Sequence, residues 1–240
     1  MRIDEYEFTG SGGREYNQDC IGSRQDKSGA VFAVADGLGG HLSGEKASAE
    51  AIRTIVKGWD TSRKDLPKQL SEKICEANKN ILALQENGRC VMKTTAAVLA
   101  ISGEQAVWAN SGDSRVYYFH DGQLSGCTND HSVAFKKYKA GEITRDQIGS
   151  DEDQSCLLRS LGGTDRYEPE IYPAAEEIKP GDAFLLCSDG AWEYLRDEEI
   201  LIDLLKAESA ANWAELLMLR IMERVDGRND NLSLITIMIS

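Results

Sequence analysis

A chain of 240 residues suits one domain, and its 41% apolar content is enough for a sizeable core. No stretch approaches the roughly 20 consecutive apolar residues of a membrane helix, so the expectation is a soluble protein with no membrane partner. The formal net charge of −13 opposes a nucleic-acid ligand, whose phosphates would meet a repelling field, and any other anionic substrate needs a local positive centre.

The opening Met1 to Tyr6 is acidic and lacks the apolar run of a secretory signal, which predicts a cytoplasmic location. Val31 to Ala35 is a continuous apolar run of strand formers that stops at Asp36-Gly37, and it predicts a buried strand. Ser43 is placed to cap a helix whose apolar face is Ala47, Ala51, Ile52, Ile55 and Val56, with Glu45 in the favourable first turn. A second helical stripe runs Leu66, Leu70, Ile74, Ala77, Ile81 and Leu84, and stops at Asn87-Gly88. Thr94 to Ile101, Gln105 to Asn110 and Arg115 to Phe119 read as successive antiparallel strands, with Asp121-Gly122 as a hairpin turn.

Residues 131–163 read as a surface flap, because a short basic helical piece (Lys136, Lys137, Lys139) leads into the polar run Gly149 to Gln154. Beyond it, Ala183 to Cys187 is a buried strand, Asp197 and Ser209 are candidate caps of two amphipathic helices, and Leu232 to Ile239 is a closing strand. Trp192, Trp213 and the Leu216-Leu217 stripe read as core. Strands interleaved with helix pairs, without a repeat or a proline-rich linker, give an α+β pattern in a single unit spanning residues 1–240. The six cysteines show no zinc or redox spacing and are expected to be free thiols.

Asp36, Asp113, Asp189 and Asp230 occupy matched contexts at strand ends, and antiparallel pairing could bring Asp36, Asp189 and Asp230 to one edge of a sheet. Each alone reads as a turn or cap residue; four together read as a cation site. Clustered carboxylates repel by about 4 kcal/mol per pair at 4 Å with an effective dielectric near 20, so the cluster needs protons or cations. Only three histidines occur and no cysteine pair, so oxygen ligation favours magnesium or manganese over zinc.

Six segments, in order, make the chain resemble the type 2C family of metal-dependent serine/threonine protein phosphatases in its compact bacterial form. They are Arg14-Glu15-Tyr16-Asn17-Gln18-Asp19, Asp36-Gly37-Leu38-Gly39-Gly40-His41, Ser111-Gly112-Asp113-Ser114-Arg115, Ser160-Leu161-Gly162, Ser188-Asp189-Gly190 and Asn229-Asp230-Asn231. The resemblance implies a four-layer α-β-β-α sandwich, two antiparallel sheets flanked by helix pairs, with the metal site between the sheets at one end. It implies two ions, Mn2+ or Mg2+, with Asp36 bridging them, the Gly37 carbonyl on one, Asp189 and Asp230 on the other, and Asp19 acting through water. A third, weaker ion would use Asp113 with Asp189.

The same resemblance implies Arg14 as a bidentate phosphate grip and a metal-bridged hydroxide that hydrolyses phosphoserine and phosphothreonine on proteins without a phosphoenzyme. The expected partners are phosphoproteins made by a cytosolic serine/threonine kinase. Two departures stand out, Gln18 where some relatives carry a glutamate ligand and Glu193 where an aspartate is common. For the general acid, Leu38 cannot transfer a proton, and His41 is the nearest candidate or else a helix-entry residue. His131 reads as structural at the flap base and Arg115 as a solvated charge. Two alternatives stay open: a catalytically silent regulatory relative, and an enzyme dedicated to small phosphate esters or to one regulator.

Overall fold

The computed structural model describes residues 1–39, 43–164, 167–173 and 177–240. The chain starts with β1 (Ile3–Gly10) and β2 (Cys20–Gln25), followed by β3 (Ala30–Ala35) and a two-residue strand β4 (Gly37–Leu38). Every residue of β3 is buried, because the period-2 alternation of its side chains faces two apolar layers at once. Val31, Ala33 and Ala35 point to one cluster, while Ala30, Phe32 and Val34 point to another.

The first cluster is roofed by α1 (Gly44–Ile52), which continues through one π-helical turn to Lys57, and by α2 (Leu66–Gly88). Ser43 does hold the position before α1, but its hydroxyl makes no capping bond. Here Ser48 and the close Gly37–Gly44 contact, rather than the cap, tie the helix entry to its surroundings. The α2 stripe is buried from Leu66 to Ile81, whereas Leu84 is exposed. The left-handed residue that stops this helix is Arg89, with φ of 48°, and not Gly88.

After β5 (Lys93–Thr94), the strands β6 (Ala96–Ser102) and β7 (Gln105–Ser111) form a hairpin, as do β8 (Arg115–His120) and β9 (Gln123–Cys127). The expected uniform pairing of successive strands fails between β7 and β8, which belong to different sheets. Gly112, at φ +93°, makes that crossing, and a β-carbon there would lie 2.6 Å from the Thr95 side chain.

Segment 131–163 contains α3 (Val133–Ala140) and a 3-10 turn (Arg145–Ser150). Its polar surface sits on buried Ala134, Phe135 and Ile148, and backbone bonds of Val133 to Cys156 and of Leu158 to His131 clasp its ends. The remaining elements are β10 (Glu170–Pro173), β11 (Ala183–Cys187), the single turn α4 (Asp189–Trp192), α5 (Asp197–Lys206), α6 (Ala210–Arg224) and β12 (Leu232–Ile239). Ser209 caps α6 by accepting from Asn212 N. Asp197 does not cap α5. Arg196 holds that place, its N–H donating to Glu199, while the Asp197 carboxylate binds Arg145.

Both five-stranded sheets are antiparallel, ordered β1-β12-β11-β8-β9 and β10-β7-β6-β3-β2. The layer between them includes Phe32, Leu99, Ile235 and Ile237, with Tyr118 stacked on Phe184 at 4.8 Å between ring centroids and Trp108 edge-on at 5.9 Å. Helices α5 and α6, with α3, cover the outer face of the first sheet, and α1 with α2 cover the second. The fold is therefore the expected α-β-β-α sandwich. Among the described residues no cysteine is in a disulfide, and no helix is long and apolar enough to cross a membrane.

Candidate metal centre and phosphate pocket

Asp36 leaves the end of β3, and two threonines fix its backbone. Its N–H donates to Thr95 Oγ1 at 2.9 Å, and Thr94 Oγ1 donates to its carbonyl at 2.7 Å. Thr95 is held in turn by Ser114 at 2.6 Å, on the chain that crosses to the other sheet. Gly37 follows where backbones crowd: a β-carbon would lie 2.4 Å from Gly44 and 2.6 Å from Gln18.

Asp189 and Asp230 come from the adjacent ends of β11 and β12 in the first sheet, while Asp36 comes from the second. The three therefore do not share one sheet edge; they meet in the mouth between the sheets, where twisted layers leave a gap at the strand ends. Asp189 accepts from Gly190 N at 2.7 Å and Gln154 Nε2 at 3.1 Å. Asp230 accepts from Asn231 N at 2.8 Å and from Arg14 Nη2 at 2.7 Å. Asn231 staples the segment bearing Arg14, donating to the Ser11 and Tyr16 carbonyls and accepting from Gln18 N.

Asp19 and Asp113 complete the set from below. One Asp19 oxygen accepts from Ser188 Oγ at 2.8 Å, and the other is buried without a partner, as is Oδ1 of Asp113. Trp192 Nε1 donates to the Asp113 carbonyl at 2.9 Å. The Trp192 ring lies 3.5 Å from the guanidinium of Arg115, which Asp130 grips through two bonds of 2.8 and 2.6 Å. Arg115 is thus a buried, paired cation under the site, 4% exposed, and not a solvated charge. Its burial follows from the sheet crossing at Gly112, which turns the start of β8 inward.

The electrostatics are those of acids facing acids. Burial first, and then Asp189, Asp19, Asp113 and Asp230, push the Asp36 carboxyl well above its ordinary range. Burial raises Asp113 and Asp189 as well, and takes Asp19 up to about 6. Glu193, one turn after Asp189, is pushed up to about 7 by burial and by that neighbour. Among the described residues no three such side chains close on a single point: Gln154, Gly190, Asn231 and Arg14 occupy oxygens of Asp189 and Asp230. Even so, two orphaned oxygens and a fivefold aspartate cluster match the donor set of hard divalent cations.

A cavity of about 450 Å3 opens over the cluster, lined by Arg14, Asp36, Gly37, Asp113, Asp189 and Asp230 among others. Asp19 lies behind it. His41 falls outside the described residues. His131 is not in the cavity: its Nδ1 accepts from Gly112 N at 3.1 Å, so it braces the sheet crossing. Sequence reasoning missed the supporting polar groups Thr94, Thr95, Ser188 and Asn231. The last two stood inside recognised motifs, but the two threonines carried no signal beyond strand propensity. Gln154, in the polar run of the flap, was also missed as a contact of Asp189.

A sandwich of this topology with an acidic mouth and one arginine at its rim is the architecture of a metal-dependent phosphatase. The family model for protein phosphatase 2C matches residues 12–216, and the chain belongs to that family. A serine/threonine phosphatase of Listeria welshimeri is 30% identical over 203 residues, covering 81% of this chain and 79% of the relative. The protein phosphatase PhpP of Streptococcus pneumoniae is 30% identical over 193 residues, 78% of either chain. The Mycobacterium tuberculosis serine/threonine phosphatase PstP/Ppp superposes with a TM-score of 0.86 at 29% identity over 99% of both chains. A structure of the PstP catalytic domain, with a TM-score of 0.84 at 28% identity over 99% of both chains, holds two manganese ions.

Proposed function

We propose that the chain hydrolyses phosphoserine and phosphothreonine monoesters on proteins, using divalent cations, Mn2+ or Mg2+, held by Asp36, Gly37, Asp189 and Asp230, with Asp113 available to a further ion. The observation that carries this reading is Asp36, half-buried at the mouth of the sandwich and faced by four other carboxylates, whose charge together with desolvation pushes its carboxyl well above the ordinary range. Bound ions would supply the missing positive charge, activate water as the nucleophile and neutralise charge on the phosphoryl oxygens, so no side chain need be phosphorylated.

The chain's own groups position the reactants. Arg14 sits 57% exposed at the rim with its guanidinium on Asp230, and a phosphoryl group entering the cavity competes for the donors that Asp230 leaves free. Asp19 reaches the cluster from behind, held by Ser188, which suits contact through water. Thr94 and Thr95 fix the Asp36 backbone so that its carboxylate does not reorganise as charge develops. His41 is retained as the candidate proton donor to the leaving alkoxide, and segment 131–163 as the element that meets the substrate. Opposition to a cytosolic serine/threonine kinase is the cellular role this chemistry suits.

The test is manganese-dependent phosphate release from a phosphothreonine peptide, with calorimetry of manganese binding alongside. Loss of both in Asp36→Asn is expected. Full activity retained by Asp36→Asn and by Asp189→Asn would remove the assigned chemistry.

A further inference from the structure

Next to the catalytic cavity lies a second groove, of about 710 Å3, and Leu157 lines both. Among the described residues that line it, the cations are Lys93 and Arg159 and the acid is Glu168. Backbone pairing sets the two cations beside the reaction centre. Lys93 stands opposite Leu38 in the short ladder that follows Asp36, and Leu38 itself lines the catalytic cavity. Thr94 and Leu161 exchange both backbone bonds, at 3.2 and 2.8 Å, so the strand bearing Lys93 is locked to the segment bearing Arg159.

Acids outnumber bases in this chain by 40 to 27, so a surface cation should readily find a carboxylate. Among the described residues, however, neither the Lys93 nor the Arg159 side chain has a hydrogen-bond or ion-pair partner, and Glu168 pairs with neither. Arg159 feels Glu170 through space, but two cations without a direct carboxylate partner, on a ledge beside an acidic reaction centre, locally oppose the protein's negative field. Leu158, half exposed on the same ledge, adds an apolar contact for a bound chain.

We infer that this groove is a subsite for an anionic side chain flanking the phosphorylated residue of the substrate, so that the enzyme prefers acidic or doubly phosphorylated segments. The inference rests on the phosphatase reading of the neighbouring cavity. Carboxylate and second phosphate are the same chemistry here, and the phosphate gains more because it carries the larger charge. The whole-protein charge of −13 repels such substrates, and the groove offsets that repulsion only where the chain must settle.

The experiment compares kcat/KM, with manganese, for phosphothreonine peptides whose flanks on either side carry Ala, Asp, phosphoserine or Lys. Exposed charge pairs are worth ~2- to 5-fold each. The expected order on one side of the phosphothreonine is phosphoserine above Asp above Ala above Lys, with about 10-fold between Asp and Lys. In the Lys93→Glu, Arg159→Glu double variant the Asp-to-Lys ratio falls to one or inverts, and in Glu168→Lys, which tests the same field without removing a cation, it rises by roughly 3-fold. Equal turnover of Asp and Lys flanks by the unaltered protein, or a preference unchanged in both variants, overturns the subsite while leaving the phosphatase reading in place. Failure of the unaltered protein to hydrolyse p-nitrophenyl phosphate or any of the peptides overturns the phosphatase reading and the subsite with it.

Discussion

The Asp19→Asn substitution is expected to make the metal-free protein more stable at neutral pH, although it removes a member of the aspartate cluster. Asp19 is only 9% exposed, and burial, reinforced by the charge of Asp189, raises its carboxyl from an ordinary 3.8 to about 6. At about 1.4 kcal/mol per pH unit, a rise of roughly two units sets the strain of the ionised form near 3 kcal/mol. Because the folded value is the higher one, this contribution is fully favourable below pH 3.8 and is lost as pH climbs through about 6. Asparagine keeps the shape, still accepts from Ser188 Oγ, and can donate its amide to the carboxylate of Asp36. A chain of this size moves its Tm by about 2–4 °C per kcal/mol, so differential scanning calorimetry in metal-free buffer at pH 7 should show a gain of up to ~10 °C. The gain should shrink to nothing at pH 4, and manganese should raise the Tm of the unaltered protein by more than that of the variant. A variant Tm equal to or below that of the unaltered protein at pH 7, or a gain that does not depend on pH, would refute the electrostatic account.

Arg14→Lys should lower kcat/KM for a phosphothreonine peptide by about 10- to 100-fold, because a lysine cannot form the paired charge-assisted bonds of a planar guanidinium. A change under 2-fold would show that Arg14 serves only Asp230. Asp130→Ala leaves the Arg115 guanidinium buried without its counter-charge, and urea denaturation should report a loss of about 3–5 kcal/mol. A loss below 1 kcal/mol would mean that the Trp192 ring alone can hold that cation. Gly190→Ala places a β-carbon 2.1 Å from the Asn231 carbonyl, so the start of β12 must move and Asp230 with it. Stability should fall by about 1–3 kcal/mol, and manganese affinity measured by calorimetry should fall as well.

Local patterns were enough for those parts of the fold whose cause is local. The buried strand before Asp36, the α1 and α2 stripes and the Asp121-Gly122 hairpin turn follow from side-chain period and turn chemistry, which need only near neighbours. The helix ends were less legible. Ser43 and Asp197 sit at or beside the cap positions, but Ser43 makes no capping bond and Asp197 turns to Arg145, because tertiary partners compete for the same polar atoms.

By itself the sequence singled out the residues proposed to carry the chemistry, since ordered aspartates with adjacent glycines are a property of short motifs. Only the tertiary structure decided where they meet. Pairing across a single sheet would have put Asp36 at an edge, but the crossing at Gly112 sends β8 to the other sheet, and the aspartates converge in the gap between the two layers. The same crossing buries Arg115 over Trp192 and frees no solvent for it, a fate that nothing in Ser114-Arg115 reveals. Burial and charge coupling depend on contacts between residues up to hundreds of positions apart, as between Arg14 and Asp230, and a linear pattern does not encode such contacts.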